Sequence, residues 1–181
     1  MTIRNSIAAL GSLGCALALG ACASMGGSAA GAGGTTTAVA ELRTPNGTPA
    51  GSATATAAAG GGVRVEVVGM GLPPGPHGAH VHTVGRCDPP DFTSAQGHWN
   101  PTSAQHGTQN PAGPHAGDLP NLLIGTNGRG TLAMTLPAGT FAGLMDEDGS
   151  AFVIHAGADD LQTDPSGDSG GRIACGVFRA S

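Results

Sequence analysis

Residues 77–84 read His77-Gly78-Ala79-His80-Val81-His82-Thr83-Val84, a short alternation closed by a β-branched pair. A strand over Gly78–Val84 follows, because side chains two apart on a strand share a face. His80 and His82 then stand side by side, and both imidazoles can reach one ion.

Similar short segments lie on either side. Upstream, Thr37–Arg43, Gly51–Ala57 and Val63–Val68 alternate apolar with small or polar residues. Pro45-Asn46-Gly47 and Gly60-Gly61-Gly62 separate them as turns. Downstream, Asn121–Thr126 and Thr131–Leu136 flank Asn127-Gly128, which predicts a hairpin. Ala151–His155 and Arg172–Arg179 complete the set. No long 3.6-residue apolar period occurs beyond the N-terminal stretch, so little helix is expected. The fold class predicted is all-β: an eight-stranded antiparallel Greek-key sandwich or barrel. Two connections, Gly85–Pro120 and Gly157–Gly171, are too long for plain turns, and long loops in a compact domain usually carry function.

Composition narrows the field. Glycine (33) and proline (13) make up about a quarter of the 181 residues, a level at which disorder competes with folding. The alternating segments favour a folded domain with a core of small aliphatic residues, since there is no Tyr, one Trp and four Phe. All seven basic residues are arginines, against twelve acids. No basic patch is visible, which argues against a nucleic-acid partner.

The N-terminus reads as an export signal. Arg4 forms a minimal positive region, and Ile7–Leu19 is an apolar stretch too short to span a bilayer. Leu19-Gly20-Ala21-Cys22 resembles a bacterial lipobox, which predicts a signal over 1–21, lipidation at Cys22 and a Gly/Ala/Ser tether through 35. Ala21-Cys22-Ala23 also permits ordinary cleavage after Ala23. Residues 36–181 form the folded domain. The expected location is the bacterial periplasm or cell envelope, with membrane contact only through the lipid. Cys15 would leave with the signal. Cys87 and Cys175 remain, as one disulfide or two buried thiols.

All seven histidines fall between residues 77 and 155. His155 ends a predicted strand and can join His80 and His82. His98, His106, His115 and Asp118 lie in the first long connection. Three imidazoles and a carboxylate make a closed set suited to zinc, and an all-nitrogen set suits copper(II). Spacing alone leaves one ion or two open.

Several motifs then resemble one family in order. His77-Gly78-Ala79-His80-Val81-His82, Gly97-His98-Trp99-Asn100-Pro101, His106-Gly107, His115-Ala116-Gly117-Asp118-Leu119, His155 through Asp159-Asp160-Leu161, and Gly171-Arg172-Ile173-Ala174-Cys175-Gly176-Val177 are similar to the signatures of copper/zinc superoxide dismutases. The resemblance implies one copper on His80, His82, His98 and His155, and one zinc on His98, His106, His115 and Asp118, with His98 bridging. It implies that Asp159 accepts from the rings of His80 and His106, that His77 supports without ligating, and that Cys87 and Cys175 form a disulfide. Arg172 would stand beside the copper and guide superoxide, which the enzyme converts to dioxygen and hydrogen peroxide. His98 and Arg172 would be the catalytic residues.

The sequence departs from that pattern modestly. The second long connection has Asp164 and Asp168 but no lysine to attract an anion, and Ala79 replaces the usual Phe. Quaternary structure does not transfer from the animal enzymes, so a homodimer is left open. The main rival is a non-enzymatic periplasmic copper- or zinc-binding protein of the same fold.

Overall fold

The computed structural model describes residues 36–181, and its regular structure is almost all strand. β1 (Thr37–Arg43), β2 (Pro49–Ala57) and β3 (Val63–Met70) form a consecutive antiparallel meander. β4 (Gly75–His77) and β5 (Ala79–His82) follow, then β6 (Leu122–Ile124) and β7 (Arg129–Thr135). A one-turn helix, α1 (Phe141–Leu144), precedes β8 (Ala151–His155), β9 (Arg172–Val177) and β10 (Arg179–Ala180).

The main sheet runs β5-β8-β9-β1-β2-β3-β7, with β10 also pairing β1. Within it, β9-β1-β2-β3 is the Greek-key order, in which a late strand returns to lie beside the first of a meander. The expected all-β Greek-key class therefore holds. Alternation explains the core. β3 reads Val63, Val65 and Val67 inward and Arg64, Glu66 and Val68 outward. Ala38, Ala40 and Leu42 of β1 and Ala53 and Ala55 of β2 meet them. Phe152 and Phe178 add the bulk that these small side chains lack, packing edge-to-face in the same core.

Three local expectations change. The predicted strand Arg172–Arg179 breaks at Phe178 into β9 and β10. The predicted strand Gly78–Val84 is confined to Ala79–His82, and Gly75–His77 forms a separate strand in front of it, so that ten strands form among the described residues where eight are expected. The turn at Asn127-Gly128 forms, closed by Gly125 N–H to the Arg129 carbonyl at 2.9 Å. Its two strands then take different ladder partners, β6 pairing β4 and β7 pairing β3. A turn fixes the reversal of the chain, whereas the ladders are chosen by which edges are free.

β8 is buried throughout, and its two faces meet different surroundings. Phe152 and Ile154 face the main core; Ala151 and Val153 join Phe92, Ala95 and Cys175 in a second cluster. Both long connections lack ladder strands, as expected, and the sulfurs of Cys87 and Cys175 are bonded, 88 residues apart. The disulfide ties the start of the first long loop to β9.

The signal segment, Cys15, Cys22 and the tether through 35 lie outside the described residues.

Candidate metal centre

β5 is the scaffold of the site. Ala79 and Val81 enter the main core, so His80 and His82 are turned together to the other face, as the period of two requires. The free edge of β5 is met by the first long loop. Trp99 N–H donates to the Val81 carbonyl at 2.8 Å, and Val81 N–H donates to that of Gly117 at 2.9 Å. These bonds set His98 opposite His82 and Asp118 opposite His80. His155 arrives from β8, where a register shift between Ile154 and His155 re-aims the strand end so that it pairs with Arg172.

Four imidazoles therefore converge. His80, His82, His98 and His155 are all buried, and each can offer a ring nitrogen such that the four atoms lie within 4.8 Å of one another. Among the described residues, the buried side-chain nitrogens without a hydrogen-bond partner are His80 Nδ1, His82 Nε2, His98 Nε2 and His155 Nε2. Leaving a buried polar atom unpaired costs about 1–3 kcal/mol, so four in one place indicate a ligand set.

The other nitrogen of three of these rings is held. His80 Nε2 lies 2.6 Å from Asp159 Oδ2, His82 Nδ1 lies 2.7 Å from the Gln96 carbonyl, and His155 Nδ1 lies 3.1 Å from the Gly170 carbonyl. Such outer partners fix the tautomer and leave the inner nitrogen a lone pair. Burial and mutual repulsion hold His80 down to about 3 and His155 to about 4. Burial likewise lowers His82 and His98. All four are neutral at physiological pH, the form that binds metal.

A second set adjoins the first through His98. Asp118 Oδ1 lies 2.9 Å from His98 Nδ1, 3.1 Å from His106 Nδ1 and 3.3 Å from His115 Nδ1. His98 Nδ1 and His115 Nδ1 are 3.4 Å apart. Zinc bonds of about 2.0–2.1 Å at tetrahedral angles place neighbouring ligand atoms about 3.3–3.4 Å apart, so these spacings fit the ion. By distance alone, His80 also groups with His98, His106 and Asp118. Its Nε2 is taken by Asp159, however, and its Nδ1 belongs to the first set.

Asp118 is fixed from behind, its Oδ2 accepting from the backbone of Gly107 and of His115, each at 2.9 Å. Burial raises the Asp118 carboxyl, but the histidine contacts outweigh this and hold it below its usual range. Asp159 is lowered by the same balance, with His106 and His80 on its two oxygens. His106 Nε2 is 3.0 Å from Asp159 Oδ1. Burial pulls His106 down, and the two carboxylates overcome it, raising it to about 9.

A cavity of about 430 Å³ opens over the first set, lined in part by His82, His98, His155 and Arg172. Arg172 Nη1 donates to the Phe92 carbonyl and Nη2 to the Gln96 carbonyl, both at 2.6 Å. His77 stays outside both sets, with Nδ1 2.7 Å from the His155 carbonyl and Nε2 2.8 Å from the Pro73 carbonyl. The structure thus gathers His80, His82, His98 and His155 in one buried group, sets Asp118 beside His98, His106 and His115, and puts Arg172 on the cavity lining.

Residues 49–178 match the family model for copper/zinc superoxide dismutase (SODC). The chain belongs to the copper/zinc superoxide dismutase family. It is 46% identical over 124 residues to superoxide dismutase [Cu-Zn] 1 of Aquifex aeolicus, covering 65% of this chain and 73% of that one. The Caulobacter vibrioides enzyme is 41% identical over 125 residues, covering 65% and 72%. Among solved structures, a superoxide dismutase-like protein from Bacillus subtilis superposes with a TM-score of 0.72 at 40% identity, covering 77% of this chain and 96% of that one. For the Brucella abortus Cu/Zn enzyme the TM-score is 0.64 at 26% identity, with 79% and 99% covered.

Several residues that shape this dismutase had no local signal. Asn121 Oδ1 accepts the Asp159 N–H at 2.8 Å, and Asn121 Nδ2 donates to the Asp159 carbonyl at 2.9 Å. Gln96 and Gly170 act only through carbonyls, and every residue has one. Gly107 had only its place in the His106-Gly107 motif, and Gly167 had no signal beyond its residue type. At Gly167 (φ +62°) a Cβ would collide with Asp159 Oδ1, and at Gly107 (φ +105°) with the Leu161 carbonyl.

Proposed function

We propose that this superoxide dismutase holds copper on His80, His82, His98 and His155, and zinc on His98, His106, His115 and Asp118. The observation that carries the reading is the set of four buried, unpartnered ring nitrogens, one from each proposed copper ligand. His98 belongs to both sets, with Nδ1 among the Asp118 group and Nε2 among the unpartnered atoms.

Copper supplies one-electron cycling, which takes two superoxide ions and two protons to dioxygen and hydrogen peroxide; zinc has no redox chemistry and is structural. The protein's part is to bind, orient and protonate. Asp159 holds His80 and His106 in one tautomer each. His98 can accept a proton at Nε2 while Nδ1 stays with the zinc set, and can return it to reduced oxygen in the cavity. Arg172, clamped by two carbonyls, presents a fixed positive charge to an entering anion. A metal store of the same fold needs the ligands but has no use for that arginine, which favours the enzyme.

The dismutase is also proposed to work in the cell envelope, tethered by lipid on Cys22 through residues 22–35. The Cys87–Cys175 disulfide supports an oxidising compartment. Metal analysis with a superoxide assay on the purified protein tests the whole reading. One copper and one zinc per active chain are expected; a protein binding both metals without activity would favour the store.

A further inference from the structure

Each proposed ligand ring should have its outer nitrogen held by an oxygen atom, because that contact sets the tautomer and orientation. His80, His82, His106 and His155 meet this rule with Asp159, Gln96, Asp159 and Gly170. His98 uses both nitrogens toward the two sets. His115 Nε2 is the remaining case, and it has no hydrogen-bond partner within 3.5 Å among the described residues. The carboxylate facing it is that of Asp164, whose Oδ1 stands 3.7 Å away.

The same Oδ1 accepts the backbone N–H of His106 at 2.6 Å. One carboxylate from the second long loop therefore touches the backbone of one member of the zinc set and faces the ring of another. Neighbouring contacts hold it there. Gln109 N–H donates to the Leu161 carbonyl at 2.9 Å, and Asn110 Nδ2 to the Gln162 carbonyl at 3.3 Å. The next two residues, Pro165 and Ser166, line the cavity over the first histidine set.

We infer that Asp164 is a positioning residue for zinc: its carboxylate holds the Nε2–H of His115 and locks the zinc loop to the rim of the substrate cavity. This role rests on the zinc set proposed above. The side chain is about half exposed, and its replacement leaves no cavity, so variants there should fold.

The test uses the full chain loaded with zinc alone, ¹⁵N-labelled at histidine. Asp164→Asn keeps an oxygen for the His106 N–H but removes the charge facing His115; Asp164→Ala removes both. In both variants zinc affinity, measured by chelator competition, should fall about tenfold or more, and the His115 Nε2–H signal should shift and exchange faster with water. The His106 amide should lose protection only in Asp164→Ala. Asp164→Asn with wild-type zinc affinity and an unmoved His115 signal would overturn the role. So would a freely exchanging His115 Nε2–H in the wild type, a measurement that needs no variant. Asp118→Ala separates the two levels: if it keeps its zinc, the ligand assignment fails; if it loses zinc while both Asp164 variants bind normally, only the Asp164 role fails.

Discussion

Arg172 Nη2 donates to the Gln96 carbonyl at 2.6 Å, and His82 Nδ1 lies 2.7 Å from the same oxygen. One peptide group thus fixes both the proposed guiding cation and a proposed copper ligand. At about 6 Å from an entering anion and an effective dielectric near 40, the guanidinium attracts it by about 1.4 kcal/mol, or about tenfold in rate. Arg172→Ala should slow dismutation by around that factor with copper retained. Arg172→Glu should be slower still, and Arg172→Lys intermediate, because an ammonium lacks the planar fork that reaches both carbonyls. Stopped-flow rates with parallel copper analysis check this; a fully active Arg172→Glu would refute the guiding role.

Salt dependence is a separate measurement. Cleavage before Cys22 would leave six arginines against twelve acids, a total that repels superoxide. That long-range field is screened beyond about 8–10 Å, whereas Arg172 acts at short range inside a cleft. The wild-type rate should fall with added salt, and a rate that rises would mean the global charge dominates.

Asp118 should control zinc. Its Oδ1 gathers three ring nitrogens, and its Oδ2 holds two backbone amides of the loop. Asp118→Ala should lose zinc, lower the melting temperature and perturb the copper spectrum through His98. Unchanged zinc content would contradict the assignment.

The disulfide should matter more for stability than for chemistry. Closing a loop of 88 residues is worth up to about 4–5 kcal/mol in the chain-entropy account, with less often realised. Cys87→Ser should lower the melting temperature while metal-loaded activity at low temperature persists. Thermal unfolding and an activity assay separate the two effects.

The metal-free protein should be most stable near pH 6.5, with stability falling on the acid side and again as pH rises from about 6.5 toward 9. Burial lowers His80, His82, His98 and His155, so below pH 6.5 the unfolded chain binds protons that the folded one refuses. Stability then falls as pH drops from about 6.5 toward 4. His106 runs the other way: raised to about 9, its contribution is full below pH 6.5 and is lost as pH rises through 9. Melting curves of chelator-treated protein across this range would show the maximum. A melting temperature that climbs toward pH 5 would mean the four rings are not buried and neutral.

Membrane attachment should depend on Cys22. Cys22→Ser should abolish labelling by a tagged fatty acid and leave the protein as precursor or released after cleavage elsewhere. Equal labelling of wild type and variant would remove the lipid anchor.

Much of this dismutase could be read along the chain because the relevant physics is local. Strand alternation placed His80 and His82 on one face, since adjacent residues on a strand must point oppositely. Ligand chemistry marked His98, His106, His115 and Asp118, and the resemblance of the ordered motifs implied a zinc site there, with His98 shared with a copper site. Asn127-Gly128 foretold its turn but not the ladders beyond it. The partners of β6 and β7 depend on which strand edges the rest of the sheet leaves open.

Other features exist only once distant segments meet. Which nitrogen of His80, His82, His106 and His155 faces inward is decided by Asp159, Gln96 and Gly170, and His80 and Asp159 are 79 residues apart. The contact of Asp164 with the His106 backbone spans 58 residues, and nothing at position 164 distinguishes it from the chain's other acids. Residue type and period state what a side chain can bind and which way a strand turns it. The second atom that orients an imidazole comes from wherever folding brings a carbonyl or a carboxylate, and only the packed structure sets that distance.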